Sequence, residues 1–295
     1  MRAGHLAFCV LLLAVRFGSV AGQDMESFVA QCALGGSASL LTSCQNTALA
    51  AQAIRGGIGI SHTMGADLSG SSSTIGRRLG NAPRVSMDIR LRMARFPVPD
   101  LLGVDPGAPG ETVHSTYGLT GSVAVGLLEG FSLMPTVGGV LSLDVLASGS
   151  LIFMGESDGF PDNEGIISLG GRLGIFRESF SLPGVTVSVM RSFGQSVDWT
   201  AGVDGPQITT GISTTSMRAI VGKDFFTLAV LAGFGWNWDR GEMHVQVPDP
   251  AIPGGRGIGF MEDLTIRRSV YFGGISITRL VFQFSIEGGW GAGYD

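Results

Sequence analysis

The chain has 295 residues, of which 15 % are charged, 44 % are hydrophobic and 47 are glycine. Soluble domains average about 25 % charged residues and about 7 % glycine, so this is not a typical soluble composition. Glycine is unfavourable inside helices, which also argues against a helical membrane protein. A net charge of −5 without a basic run argues against a nucleic-acid partner. Hydrophobic composition without a long apolar run favours a closed membrane β-barrel, whose apolar residues occupy alternate strand positions.

Residues 1–22 have the features of an export signal. Arg2 precedes an apolar core at Leu6–Val15, and small residues at 19–21 suit a cleavage site. We therefore predict a signal peptide over residues 1–22. Its removal takes away both of its arginines and leaves 17 basic and 24 acidic residues, a net charge of −7.

Residues 23–55 differ in composition from the rest of the chain. The stretch Leu40–Arg55 is rich in alanine, leucine and glutamine, which predicts a short helix. Cys32 and Cys44 are the cysteines that remain after signal removal, and an even pair in an exported chain predicts a disulfide. Two free thiols are the alternative. No histidine lies at ligand spacing, so we predict no metal site. Three roles are open for this segment: a plug in the lumen, a periplasmic lid, or a leader.

From residue 56 onward, apolar and small polar residues alternate with a period of two, which predicts β-strands. Leu143 and Val145, for example, share one face of a predicted strand, while Ser142 and Asp144 share the other. We predict an all-β fold, an antiparallel transmembrane β-barrel of about ten strands (about eight to twelve) with a short N-terminal helical segment. The predicted strands are residues 56–66, 83–96, 114–128, 138–153, 165–177, 183–193, 207–222, 225–239, 259–275 and 280–293.

The alternation alone fits either a soluble β-sandwich or a membrane barrel. Two features favour the barrel. The second face consists of glycine, serine, threonine and alanine, and Lys223 is the only lysine in the chain, whereas soluble surfaces use many. Aromatic residues also gather near strand ends, as they do at membrane interfaces. The candidate interfacial aromatics are Phe226, Trp236, Trp238, Tyr271 and Trp290.

Short connections, such as residues 223–226, contrast with long polar ones, such as residues 194–207 and 240–257. Together with the signal segment and the alternation, this pattern resembles bacterial outer-membrane β-barrel proteins over residues 56–293. The resemblance implies a barrel domain at 56–295, localisation in the outer membrane, and membrane lipid as a partner.

Charged residues on the predicted inner faces are the strongest functional lead. A charge that faces lipid at the bilayer midplane costs about 2–4 kcal/mol, so we expect these side chains to face the lumen. The pore-lining candidates are Asp88, Arg90, Arg92, Asp144, Arg172, Arg218, Arg267 and Glu287.

These residues lead to two hypotheses. They form a selective constriction in a passive pore for small solutes, or they form ion pairs that close the lumen of a structural or interaction barrel. A third hypothesis, a membrane-embedded hydrolase, has no GxSxG or HExxH motif to support it. We therefore predict no enzymatic activity and no cofactor.

Overall fold

The chain is described by a computed structural model. The predicted signal peptide, residues 1–22, lies outside the described residues. Those residues are 25–76, 84–99, 101, 110–132, 140–155, 159–160, 163–179, 182–202, 205–279 and 282–292.

The described part of the chain is dominated by one antiparallel sheet of nine strands, each paired with its neighbours in sequence and curled into a half-barrel. The predicted all-β, barrel-like fold is thereby confirmed. The strands are β1 (Val85–Pro99), β2 (Glu111–Leu128), β3 (Ser142–Phe153), β4 (Glu164–Phe176), β5 (Gly184–Thr200), β6 (Gln207–Phe225), β7 (Leu228–Pro248), β8 (Arg256–Arg279) and β9 (Phe282–Ala292).

Two helices precede the sheet, α1 (Met25–Cys32) and α2 (Ala38–Thr63). The prediction of a strand at residues 56–66 is wrong, because α2 continues through most of it. Three glycines in this part of α2 allow the helix to pack very close to the sheet. A Cβ atom at Gly56, Gly57 or Gly59 would collide with side chains of the surrounding sheet, so only glycine lets the helix approach so closely.

Two of the predicted long loops are also shorter than expected. β5 extends to Thr200, so residues 194–200 belong to a strand. β7 and β8 extend to Pro248 and from Arg256, so most of residues 240–257 form a paired hairpin. The polar composition of these segments favours loops, but most of their backbone groups pair across the hairpins all the same.

The start of α2 is fixed at three points. The predicted disulfide between Cys32 and Cys44 is confirmed, with 6.0 Å between the Cα atoms. Ser37 is the N-cap of α2, and its side chain accepts a hydrogen bond from the Leu40 amide, which satisfies one of the free donors of the first turn. Ser37 also donates its hydroxyl proton to Asp249, beyond the end of β7.

The largest apolar core lies at the rim where β1 ends and β8 begins. Phe28 of α1 and Ile54 of α2 are fully buried there against residues such as Phe96 and Val245 of the strands. After Thr63 the chain leaves the helix and crosses the inside of the sheet as irregular backbone. Residues 38–76, called here the inner segment, therefore lie on the concave face.

The convex face of the sheet carries exposed apolar side chains, including Leu151, Ile167 and Phe234. The concave face carries buried serine, threonine, arginine and acidic residues together with apolar ones. No helix in the described residues is long and apolar enough to span a membrane.

Candidate functional site

The C-terminal end of α2 lies inside the half-barrel, where two strand arginines meet its last carbonyl groups. Arg92 of β1 donates to the carbonyl oxygen of His62, and Arg218 of β6 donates from Nη2 to that of Thr63 at 3.1 Å. The last carbonyls of a helix have no partner within it and carry the negative end of the helix dipole. The two guanidinium groups therefore hold α2 in place through charge-assisted hydrogen bonds.

Arg218 is fully buried, and its other hydrogen bonds stay within the sheet and the same helix end. Its Nη2 donates to Asn237 Oδ1 at 2.5 Å, and its Nη1 donates to the carbonyl oxygens of Met217 and Trp236 at 3.0 and 3.1 Å. Asn237 in turn donates from Nδ2 to Thr63 Oγ1 at 2.7 Å. The end of α2 is thus attached to β6 and β7 by a connected set of polar contacts.

A second polar cluster connects residues 66–70 of the inner segment to the two outermost strands. Glu287 of β9 accepts hydrogen bonds from the amides of Ala66 and Gly70, at 2.7 and 2.8 Å. Arg90 of β1 donates to the carbonyl oxygens of Ala66 and Asp67. Both strands therefore hold the same short stretch of irregular backbone, from opposite sides.

Asp88 of β1 belongs to this cluster. It accepts the Ser69 amide at 2.9 Å, and its second oxygen lies 3.2 Å from Arg90 Nε. Its carboxylate thus satisfies a backbone donor of the inner segment and orients a neighbouring guanidinium at the same time.

A third contact of the same kind lies on β3 and β4. Arg172 and Asp144 form a fully buried ion pair, with 2.9 Å between Nη2 and Oδ2. Asp144 also accepts the backbone amides of Ile75 and Gly76, at 2.9 and 3.4 Å. A buried carboxylate is stable only when it is paired and hydrogen-bonded. Here Arg172 supplies the opposite charge, and backbone amides of the inner segment supply the remaining hydrogen bonds.

Seven of the eight predicted pore-lining residues therefore lie on the concave face; the eighth, Arg267, does not. Arg267 is exposed on the convex face, with its guanidinium carbon 5.7 Å from the Trp236 ring and 6.0 Å from the Trp238 ring. The inward arginine at this level is its neighbour Arg268, which donates to the Gln52 carbonyl at 2.8 Å. The expected position of Arg267 is thus wrong by one residue of strand register.

Sequence reasoning also missed three inward polar residues besides Arg268. Arg55 of α2 donates to Thr210 Oγ1 at 2.8 Å and to the Glu242 carbonyl at 2.7 Å. Asp239 of β7 accepts from the Thr214 hydroxyl at 2.7 Å. Asn237 carries the contact to Thr63 described above. Asp239 could have been found, because it falls on the small-residue face of its predicted strand. Arg55 lies in a predicted helix, so the alternation rule says nothing about where it points.

The predicted interfacial aromatics lie on the outside. Trp236, Trp238, Tyr271 and Trp290 are on the convex face, where Tyr271 and Trp290 have ring centroids 5.8 Å apart. Phe226 is fully exposed in the tight turn between β6 and β7, with a positive φ of 59°. Their part at a membrane interface stays a prediction.

The hydrogen bonds that Asp249 accepts change the pKa of its carboxyl group. Asp249 accepts the Ser37 hydroxyl at 2.6 Å and amide at 3.1 Å, and also the Ala251 amide at 2.9 Å. Hydrogen bonds to the charged carboxylate, that from the Ser37 side chain above all, lower the pKa of Asp249 below its ordinary value.

Between β1 and β9 the half-barrel has a gap, called here the seam. A groove of about 1800 Å³ runs along it. Residues of both strands line it, and the outward side chains Ile89, Leu91 and Ile286 among them are more than three-quarters exposed. Its floor is the inner segment, including Ile60 and Met64. The seam is thus a break in the wall with the inner segment directly behind it.

Within the described residues, no three histidine, cysteine, aspartate or glutamate side chains are grouped so that they could hold a metal ion. Comparisons with protein-family models, with curated proteins and with solved structures found no match to this chain.

Proposed function

We propose that this chain is an exported outer-membrane β-barrel whose lumen is closed by its own inner segment. It would serve as a closed structural or interaction barrel rather than as a permanently open pore. The observation that carries the proposal is how the inward charges are used. Arg92 and Arg218 bind the carbonyls that end α2, and Asp144 and Glu287 bind amides further along the inner segment.

A selective pore needs charged side chains that face water or a passing solute. In this interior the charged groups named above instead face backbone groups of the same chain. These contacts give partners to carbonyl and amide groups of the inner segment that would otherwise be buried without any. Leaving one such group unpaired costs about 1–3 kcal/mol. The charges thus support closure more directly than conduction.

Membrane location is supported by the convex face. Large apolar side chains cover it, and a contiguous exposed apolar surface of this kind marks contact with lipid or with another protein. Along the strands, outward apolar residues alternate with inward polar ones, which is the pattern of strands that cross a bilayer.

Tryptophan quenching by brominated lipids tests the membrane location. Trp199 is buried, whereas Trp236, Trp238 and Trp290 are on the convex face. In vesicles of brominated lipid, the fluorescence of the variant W199F, which keeps the three convex-face tryptophans, should be strongly quenched. The matched triple variant W236F/W238F/W290F, which keeps only the buried tryptophan, should be quenched little. Equal quenching of the two variants would contradict the proposal.

Planar bilayers test the closure. The mature chain should give no steady conductance. A variant that lacks residues 25–76 should conduct steadily, because the arginines and acids of the concave face then line an empty lumen. Since the deletion could prevent folding, the double variant R92M/R218M, which leaves the chain length unchanged, should also raise conductance over wild type. Steady conductance of the wild-type chain at the level of the deletion variant would contradict the proposal.

A further inference from the structure

The two strands that border the seam run in the same direction. Each strand in the sheet is antiparallel to the next, so the first and the ninth, β1 and β9, are parallel to each other. Along the seam their facing backbone edges have no ladder partner within the described residues. One strand that runs in the opposite direction would be antiparallel to both and would make an even number of ten. Bilayers strongly favour such closure, because unpaired backbone groups in lipid cost several kcal/mol each.

The inner segment already runs along β9 in that opposite direction, one layer inside it. Ile60 packs at Gly291, where a Cβ atom would lie 2.4 Å from Ile60 Cδ1. Further along, the Ala66 amide is bound by Glu287, and the Ser69 hydroxyl meets that of Ser285. As the residue number rises in the inner segment, it falls in β9.

The stretch at residues 56–66 is poorly suited to remain helical. Its sequence, GGIGISHTMGA, has four glycines. Three of them lie within α2, where each costs about 1 kcal/mol relative to alanine. In an extended conformation Ile58, Ile60 and Met64 would share one face with His62, and glycines would share the other face with Ser61 and Thr63. The stretch is eleven residues long by its numbering, and β9 also has 11 residues.

We propose that the seam is the binding site for residues 56–66 of this same chain, which enter it as a tenth strand in a second state of the barrel. This inference rests on the proposed membrane function. In the second state Ile58 and Ile60 join the apolar outer face, and the edges of β1 and β9 gain ladder partners. The hydrogen bonds from Arg92 and Arg218 to the end of α2 are lost, and the middle of the lumen is vacated.

The present contacts also suggest the register. A Cβ atom on Gly65 would lie 4.0 Å from the Cβ of Glu287, so these two positions are already neighbours. If residue 65 pairs with residue 287 in an antiparallel ladder, residue 62 lies opposite residue 290. His62 is buried inside, where Arg92 binds its carbonyl, whereas Trp290 is exposed on the convex face. The pair His62 and Trp290 therefore meets only in the second state.

Paired cysteines in the full mature chain, inserted into vesicles, distinguish the two states. The pair H62C/W290C reports the tenth strand, and G288C or A292C in place of W290C covers registers shifted by two residues. The pair T63C/N237C reports the helical state, because these side chains are in contact at 2.7 Å. Adding R218M to each pair removes a contact that only the helical state makes.

We expect an intramolecular cross-link from residue 62 to one of the three β9 positions in a fraction of molecules. R218M should raise that fraction several-fold and lower the T63C/N237C cross-link. The inference is overturned if T63C/N237C cross-links completely while residue 62 joins none of the β9 positions, with and without R218M. It is equally overturned if the H62C/W290C product is a cross-linked dimer, because a second copy then occupies the seam. If the chain does not enter vesicles at all, the proposed membrane function fails instead.

Discussion

Replacing Arg218 with methionine tests how much the strand arginines stabilise the closed barrel. Arg218 is fully buried on β6 and donates to the Thr63 carbonyl at the end of α2 and to the Asn237 side chain. Methionine keeps an unbranched side chain of similar reach but has no donor. The substitution therefore removes hydrogen bonds and a charge without opening a large cavity.

The expected cost follows from the contacts that are lost. Two acceptors outside its own strand, the Thr63 carbonyl and the Asn237 amide oxygen, lose a charged donor, and such bonds contribute about 1.5–3 kcal/mol each. The acidic groups that interact with Arg218 electrostatically, Asp67 and Asp239, lose a neighbouring cation. We expect a loss of about 3–5 kcal/mol in the free energy of unfolding, the range for breaking a buried charge network.

Urea unfolding in lipid vesicles, followed by tryptophan fluorescence, measures this loss as a lower midpoint at unchanged slope. The control is Arg191→Met on the convex face, whose guanidinium only lies over the Phe193 ring at 5.5 Å. Such an exposed cation–π contact contributes about 0.5–1 kcal/mol. Equal midpoint shifts for the two variants would show that Arg218 does not hold α2.

Two further predictions concern other parts of the fold. Gly235→Ala should destabilise the barrel by about 1–3 kcal/mol in the same assay, because a Cβ there would lie 1.9 Å from the Met217 carbonyl oxygen of the neighbouring strand. Gly121→Ala, where nothing lies within 4 Å of the added carbon, should have little effect, and a reversed order would contradict the packing. The start of α2 should loosen in acid, because the lowered pKa of Asp249 means that its contact with Ser37 is present above the ordinary carboxylate pKa and is lost as the pH falls through the lowered value. Hydrogen exchange of the first turn of α2 should show this loss in wild type but not in Asp249→Asn, and identical pH profiles would argue against it.

Residues 264–272 show where prediction from the sequence stops. The alternation rule assumes one apolar and one polar face, but Ile266, Val270 and Phe272 all point inward on β8. They do so because the interior is occupied by protein, which packs apolar residues as well as polar ones. With both faces partly apolar, the register is not visible in the sequence, so the alternation places Arg267 inward in place of Arg268.

Residues 56–66 show the same limit for secondary structure. Their alternation fits a strand, and their glycines disfavour a helix in isolation. The helix forms because Arg92 and Arg218 supply donors at its end, and because Phe96 packs where a Cβ of Gly57 would be. Tertiary contacts from β1 and β6 thus override the local preference.

Features that depend on local pattern and composition are visible in the amino-acid sequence. These are an all-β antiparallel sheet, the alternation of its two faces, the helix that includes Leu40–Arg55, and the Cys32–Cys44 pair. What fills the inside of the sheet depends instead on the three-dimensional packing. Whether an inward arginine faces water or a helix carbonyl depends on where residues 38–76 lie. That position is set by contacts with residues on separate strands, from Arg92 on β1 to Arg218 on β6, and no local pattern encodes them.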